Sequence, residues 1–263
     1  MFFNVGDFVT RNSYHNDVLF KIIKIEDGTA YLKGVELRLV ADSPVNDLMK
    51  VENLEKDSDD FDELENKCAD EIRNQDYFYL PGKILHLDGD GEYLDRCMKF
   101  YKKHKIYAIG KRIDEDKVSD QIIDLLKKYR PDIVVITGHD SYLKHAKNNM
   151  KKDIINNYKN SKHFVSSVIN ARKYEKSHDK LVIIAGACQS DYEELIKAGA
   201  NFASSPKRIN IHALDPAIIA VSLATTEKNQ EIDLINLLSK TKYGKDGMGG
   251  IRTTGLMYVG FPR

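Results

Sequence analysis

The sequence predicts an α/β protein, a mostly parallel sheet flanked by helices behind a small β module. Three observations carry this. From Gly82 onward, continuous aliphatic runs alternate with helix-patterned intervals, as in strands covered on both faces. Residues 1–51 instead hold short runs rich in β-branched and aromatic residues, separated by turn sequences. Between the two lies an acidic stretch too poor in apolar residues to offset its own ordering entropy.

Taken in order, runs at 5–9, 17–25 and 30–40 read as strands, the last two joined by the turn Glu26-Asp27-Gly28-Thr29. This is hairpin chemistry, and a small SH3-like β-barrel over 1–51 is the expected outcome. Residues 52–76, with Asp57, Asp59, Asp60, Asp62 and Glu63, read as an exposed acidic linker carrying a helical turn near Cys68. The α/β unit then spans 77–263. Its strands are expected at 82–88, 106–109, 133–136, 181–184 and 201–204, its helices at 92–104, 118–129 and 192–198. Asp215-Pro216 reads as an N-cap and N1 proline opening a helix through Leu223. The glycine-rich stretch 243–250 is expected to be mobile or to fold only against a partner.

Forty basic and forty acidic residues give zero formal net charge, which argues against a general nucleic-acid binder. No apolar run approaches the ~20 residues of a membrane-spanning helix, and no secretory leader pattern opens the chain, so a cytoplasmic protein is expected. Three cysteines (Cys68, Cys97 and Cys188) without a CxxC argue for a reducing compartment rather than a disulfide framework. The histidines show no HxxxH or HExxH grouping, so neither a metal nor an organic cofactor is expected.

Ligands in open parallel sheets collect at the carboxyl ends of the strands. Three such ends are chemically suggestive: Asp88-Gly89-Asp90-Gly91, Thr137-Gly138-His139-Asp140 and Ala185-Gly186-Ala187-Cys188. If the last two strands are neighbours, an imidazole and a thiol meet at one edge. His139 could then deprotonate Cys188 and later protonate a leaving amine. A helix beginning near Asp191 would favour the thiolate. Gly138 and Gly186 leave main-chain N–H groups accessible, and the oxyanion donors are placed at Gly138 and Cys188. His139 lies roughly 50 residues upstream of Cys188, the His-to-Cys interval of caspases, and Ala187-Cys188 matches part of their signature.

The segments Ile136-Thr137-Gly138-His139-Asp140-Ser141-Tyr142 and Ile184-Ala185-Gly186-Ala187-Cys188-Gln189-Ser190 closely resemble the YabG family of sporulation-specific cysteine proteases from endospore-forming bacteria. The resemblance extends through Val5-Gly6-Asp7-Phe8-Val9 and the strand ending in Asp88-Gly89-Asp90, and so covers essentially the whole chain. It implies a cysteine endopeptidase cleaving after basic residues, chiefly Arg, in spore coat and cortex-associated proteins, in the mother-cell cytoplasm at the spore coat. The family's His and Cys map onto His139 and Cys188. By analogy with the wider clostripain–caspase group, the sheet would be a caspase-like sandwich. In that group a Gly follows the catalytic His, whereas here Gly138 precedes it and Asp140 follows.

An arginine pocket requires a carboxylate, because a buried unpaired guanidinium is costly. Asp88, Asp90, Asp140 and Asp215 are the candidates, each near a strand end or rim loop. Self-cleavage is expected in the linker and around Arg172 and Arg208. Two other readings compete. Asp88-Gly89-Asp90-Gly91 also resembles the opening of Asp-nucleophile, Mg²⁺-dependent phosphatases, although Glu92 stands where that family places Thr. A non-catalytic spore coat assembly factor is the third.

Overall fold

A computed structural model describes residues 2–51, 77–143 and 155–261. The acidic linker expected at 52–76, with Cys68, falls outside the described residues. Five strands, β1 (Phe8–Arg11), β2 (Phe20–Glu26), β3 (Thr29–Gly34), β4 (Val40–Pro44) and β5 (Leu48–Lys50), form an antiparallel sheet ordered β4-β3-β2-β1-β5. Alternation decides its faces: Phe20, Ile22, Ala30 and Leu32 are fully buried, while Lys21 and Tyr31 are exposed. The apolar run at 30–40 is two segments rather than one strand. It leaves the sheet after Gly34, and residues 36–38 meet 211–213 before β4 resumes: Leu37 bridges His212, Ala213 N–H donates to Glu36 O, and Arg38 N–H donates to Ile211 O.

The remainder is built on a six-stranded sheet. Its strands are β7 (Ile84–Asp88), β8 (Ala108–Arg112), β9 (Ile133–Thr137), β10 (Val182–Ala185), β11 (Phe202–Ser204) and β12 (Met248–Gly250), in the order β12-β11-β10-β9-β7-β8. All pairings are parallel except β11 with β12. A small antiparallel pair, β6 (Phe78–Leu80) and β13 (Tyr258–Gly260), lies outside it.

The helices cover both faces. On one side lie α1 (Gly91–Lys103) and α5 (Asp215–Thr225), packed on Ile84, Ile133, Val135, Val182 and Ile184. On the other, α2 (Val118–Tyr129), α3 (Ser161–Tyr174) and α4 (Tyr192–Lys197) pack on Leu85, Leu87, Val134, Ile136 and Ile183. Strands buried on both sides are why the sequence shows unbroken aliphatic runs there instead of alternation. Helix α5 is buried all round, from Asp215 to Ala224. Among the described residues, no helix is long and apolar enough to cross a membrane.

Two sequence expectations are corrected. The glycine-rich stretch 243–250 is ordered within the chain: after α6 (Leu234–Ser239) it forms α7 (Gly244–Gly247) and then the edge strand β12. Its glycines serve close approach, since a Cβ at Gly250 would meet the Phe202 ring and Asn201 O. Helix α5 starts with Leu214 as N-cap, which places Asp215 at the first helical position; its carboxylate turns back to accept the His212 N–H.

Candidate active site

In the parallel sheet the chain steps from β7 outward to β8, then crosses back to lay β9 on the other side of β7. The β7–β9 crevice is therefore a topological switch point, where loops diverge and leave room for a ligand. Asp88 pairs in register with Thr137, so Asp90 and His139 leave the two strands side by side. They meet: His139 Nε2 lies 3.0 Å from Asp90 Oδ2. Asp90 also caps α1, accepting the N–H groups of Glu92 and Tyr93, and receives the Lys33 ammonium from β3 at 2.8 Å. Burial opposes the Asp90 charge, but hydrogen bonds from His139 and Lys33 outweigh it and hold the carboxyl well below its ordinary range. The second ring nitrogen of His139, Nδ1, is buried without a hydrogen-bond partner among the described residues. Tyr93 packs edge-on against the imidazole, with centroids 5.6 Å apart.

On the other side of β9, Ile136 pairs with Ala185 of β10. His139 and Cys188 thus stand equally far beyond a registered pair on adjacent parallel strands. Tyr93, which touches His139, is also within electrostatic reach of the Cys188 sulfur. The turn at Cys188 is tight. Gly186 has φ +105°, and a Cβ there would meet Ser204 Oγ and Leu195; Gln189 is held at φ +58°, a conformation costly for a side-chain-bearing residue. The Ala187 N–H donates to Ser190 Oγ, and the Gln189 N–H to Ile209 O.

The thiol itself is fully buried. Ile211 N–H donates to Cys188 Sγ at 3.3 Å, and the sulfur faces Ile211 O at 3.7 Å. Burial pushes its pKa up to about 12, against a smaller opposing effect of the Ile211 hydrogen bond. The helix expected after Asp191 is present as α4, but desolvation dominates any help its N-terminus gives the thiolate.

The four pocket candidates are all engaged. Asp88 is fully buried and paired with Arg38 Nη1 at 2.6 Å, with His86 Nε2 at 3.5 Å. Asp90 is shared by Lys33 and His139. Asp140 is a crosslink between loops: it accepts the N–H groups of Ser141 and Asn160 and the hydroxyls of Ser161 and Ser190. Asp215 is fully buried and accepts the N–H groups of His212 and Lys242. With Arg38 on one carboxylate and Lys33 on the other, the Asp88–Asp90 pair is charge-neutralised by the protein itself. Among the described residues, no group of three or more His, Cys, Asp or Glu could hold a metal ion. Arg172 is not an exposed site as expected; its guanidinium donates to the carbonyls of Gly199 and Leu181 and to Asn201 Oδ1. Arg208 is exposed, at φ +54°.

Sequence reasoning passed over Glu115, Tyr93, Lys33 and Arg38. Glu115, from the loop before α2, covers Gly89 and Gly138 and accepts the His139 N–H at 2.8 Å. A side chain at Gly138 would meet that carboxylate, so Glu115 would have to shift to admit one. The one available signal was Arg38 itself, a guanidinium set in an apolar run between Leu37 and Leu39.

A mostly parallel α/β sheet with a histidine and a cysteine just past the ends of two adjacent strands is an arrangement compatible with hydrolase chemistry. The family model for YabG peptidase U57 matches residues 4–262. The sporulation-specific protease YabG of Bacillus subtilis (strain 168) is 45% identical, over 100% of this chain and 99% of its own length. The chain belongs to the YabG peptidase family. No solved structure matches it.

Proposed function

We propose that the protein is a sporulation protease that works as a cysteine endopeptidase, with Cys188 as nucleophile and His139 as general base. The observation carrying this is the β9–β10 register, with His139 and Cys188 equally far past Ile136 and Ala185. Cys188 Sγ, its proton taken by His139, attacks the scissile carbonyl carbon, and the oxygen becomes an oxyanion held by main-chain N–H groups at Gly138 and Cys188. The C–N bond then breaks, the amine leaves with the imidazolium proton, and a thioester remains. Water, deprotonated by His139, hydrolyses that thioester to a carboxylate and restores the thiol. Family membership supports a protein substrate in sporulation, and we extend this to cleavage after Arg in spore coat and cortex-associated proteins, without nucleic-acid or membrane partners.

In this reading the Ile211 segment covers the thiol at rest, and release of Cys188 Sγ from Ile211 precedes attack. The N-terminal sheet, read as an SH3-like barrel of residues 1–51, and the α/β unit from 77, read as a caspase-like sandwich, form the scaffold. The exposed Arg208, beside the covering segment, is the self-cleavage site best supported. The test is incubation of an Arg-containing polypeptide with wild type and with Cys188→Ala. Cleavage after Arg by wild type alone is expected. Equal cleavage by both overturns the mechanism.

A further inference from the structure

The crevice between β7 and β9 holds a second carboxylate–imidazole relationship that a two-residue mechanism leaves unused. We propose that Asp90 is a positioning residue for the reaction: it binds the Nε2–H of His139, fixes that tautomer, and so presents Nδ1 as the proton acceptor for Cys188. This deepens the cysteine-peptidase reading and rests on it.

Three independent features of the geometry converge on this role. The contact is direct, with His139 Nε2 and Asp90 Oδ2 3.0 Å apart. Asp90 is itself immobilised: Oδ1 accepts the Glu92 and Tyr93 N–H groups at the start of α1, and Lys33 reaches both oxygens. A carboxylate held that way cannot follow a ring that rotates, so it selects one ring orientation. The remaining nitrogen, Nδ1, is buried and without a hydrogen-bond partner among the described residues. A buried, unpartnered acceptor is costly unless a reacting group uses it. With Nε2–H bonded to Asp90, the thiol proton passes to Nδ1. The resulting imidazolium keeps Nε2–H on Asp90, and Nδ1 returns its proton to the leaving amine. Asp90 takes up no proton at any step.

The groups facing the imidazole are Asp90 beyond β7, Tyr93 on α1, and Glu115 on its main-chain N–H, with Lys33 of β3 behind Asp90. Lys33 keeps Asp90 ionised, so the N-terminal sheet contributes a charge to the site. Asp90→Asn is the informative change, because asparagine caps a helix as well as aspartate and the start of α1 survives.

Two measurements on the full chain decide the matter. Nitrogen-15 NMR of the ring-labelled wild type is expected to show His139 as the Nε2–H tautomer, and Asp90→Asn to lose that preference; Nδ1–H in wild type overturns the inference whatever the activity. In cleavage of a fluorogenic Arg peptide, Asp90→Asn is expected to lower kcat about 100-fold or more with KM little changed, by analogy with tautomer loss in catalytic triads. Its pH–rate profile should shift, and Asp90→Glu should recover part of the rate. Wild-type kcat and an unchanged profile in Asp90→Asn, while Cys188→Ala is inactive, overturn the role of Asp90 alone. Activity retained in Cys188→Ala overturns the nucleophile assignment instead.

Discussion

Arg38 and Asp88 form a fully buried ion pair, Nη1 to Oδ2 2.6 Å, that joins the N-terminal sheet to the end of β7. The same guanidinium donates twice to Ala213 O and lies 3.4 Å from Cys97 Sγ. One side chain therefore ties together the β module, the end of β7 and the segment that covers Cys188. Burial opposes the Arg38 charge, but Asp88 overrides it and raises the guanidinium pKa; reciprocally, Asp88 stays below its ordinary value despite burial.

Arg38→Met is expected to destabilise the protein by about 3–5 kcal/mol, because it strands Asp88 without a counter-ion. Urea unfolding measures this. Arg38→Met/Asp88→Leu should recover much of the loss, since both charges are then gone. A double variant as unstable as the single one would show that the Ala213 contacts, not the ion pair, dominate.

The Cys188 thiol, with its pKa pushed up to about 12, should resist alkylation in the native state. Iodoacetamide should label it far more slowly in native protein than in urea, as peptide mapping would show. Arg38→Met, by loosening Ala213 and its neighbour Ile211, should speed the native reaction. Equal rates in native and unfolded protein contradict the buried assignment.

Asp215 sets a pH term. Burial raises its pKa from 3.8 to about 6, against hydrogen bonds from Lys242 and His212. The folded state thus holds this proton more tightly than the unfolded one. Its contribution is fully present below the unfolded value and is lost as pH rises through about 6, a loss of about 3 kcal/mol. Asp88 and Asp90, with lowered values, act in the opposite sense, so the comparison must be between variants. Asp215→Asn should gain stability relative to wild type between pH 4 and pH 7. A pH-independent difference would refute the assignment.

Asp140 should prove structural. Asp140→Ala leaves the Ser161 and Ser190 hydroxyls and the Asn160 and Ser141 N–H groups without their acceptor. A loss of about 2–4 kcal/mol is expected from such orphaned buried groups, measured as a lower urea midpoint. Asp140→Ala with wild-type stability would contradict the crosslink.

Much of the sheet was legible in the sequence because its strands are buried on both faces; the helix at 118–129 is found with the bounds its periodicity indicated. The motifs at 88–91, 137–140 and 185–188 do lie at the carboxyl ends of β7, β9 and β10, as their aliphatic runs indicated. What stayed hidden was pairing across distant segments. Nothing in Asp88-Gly89-Asp90-Gly91 announces that Lys33 of β3 and Arg38 of the β3–β4 connection neutralise its carboxylates. The glycine-rich stretch misled because glycine serves both mobility and close packing, and here Gly250 lies against Phe202. Burial of Cys188 was likewise invisible, since its cover at Ile211 comes from a segment with no apolar periodicity of its own.

The most direct measurement is the site of covalent capture by an Arg acyloxymethyl ketone, located by mass spectrometry after reaction with the full chain. The account predicts one adduct, on Cys188, lost in His139→Ala. A preparation that cleaves Arg peptides yet carries its adduct elsewhere would contradict it.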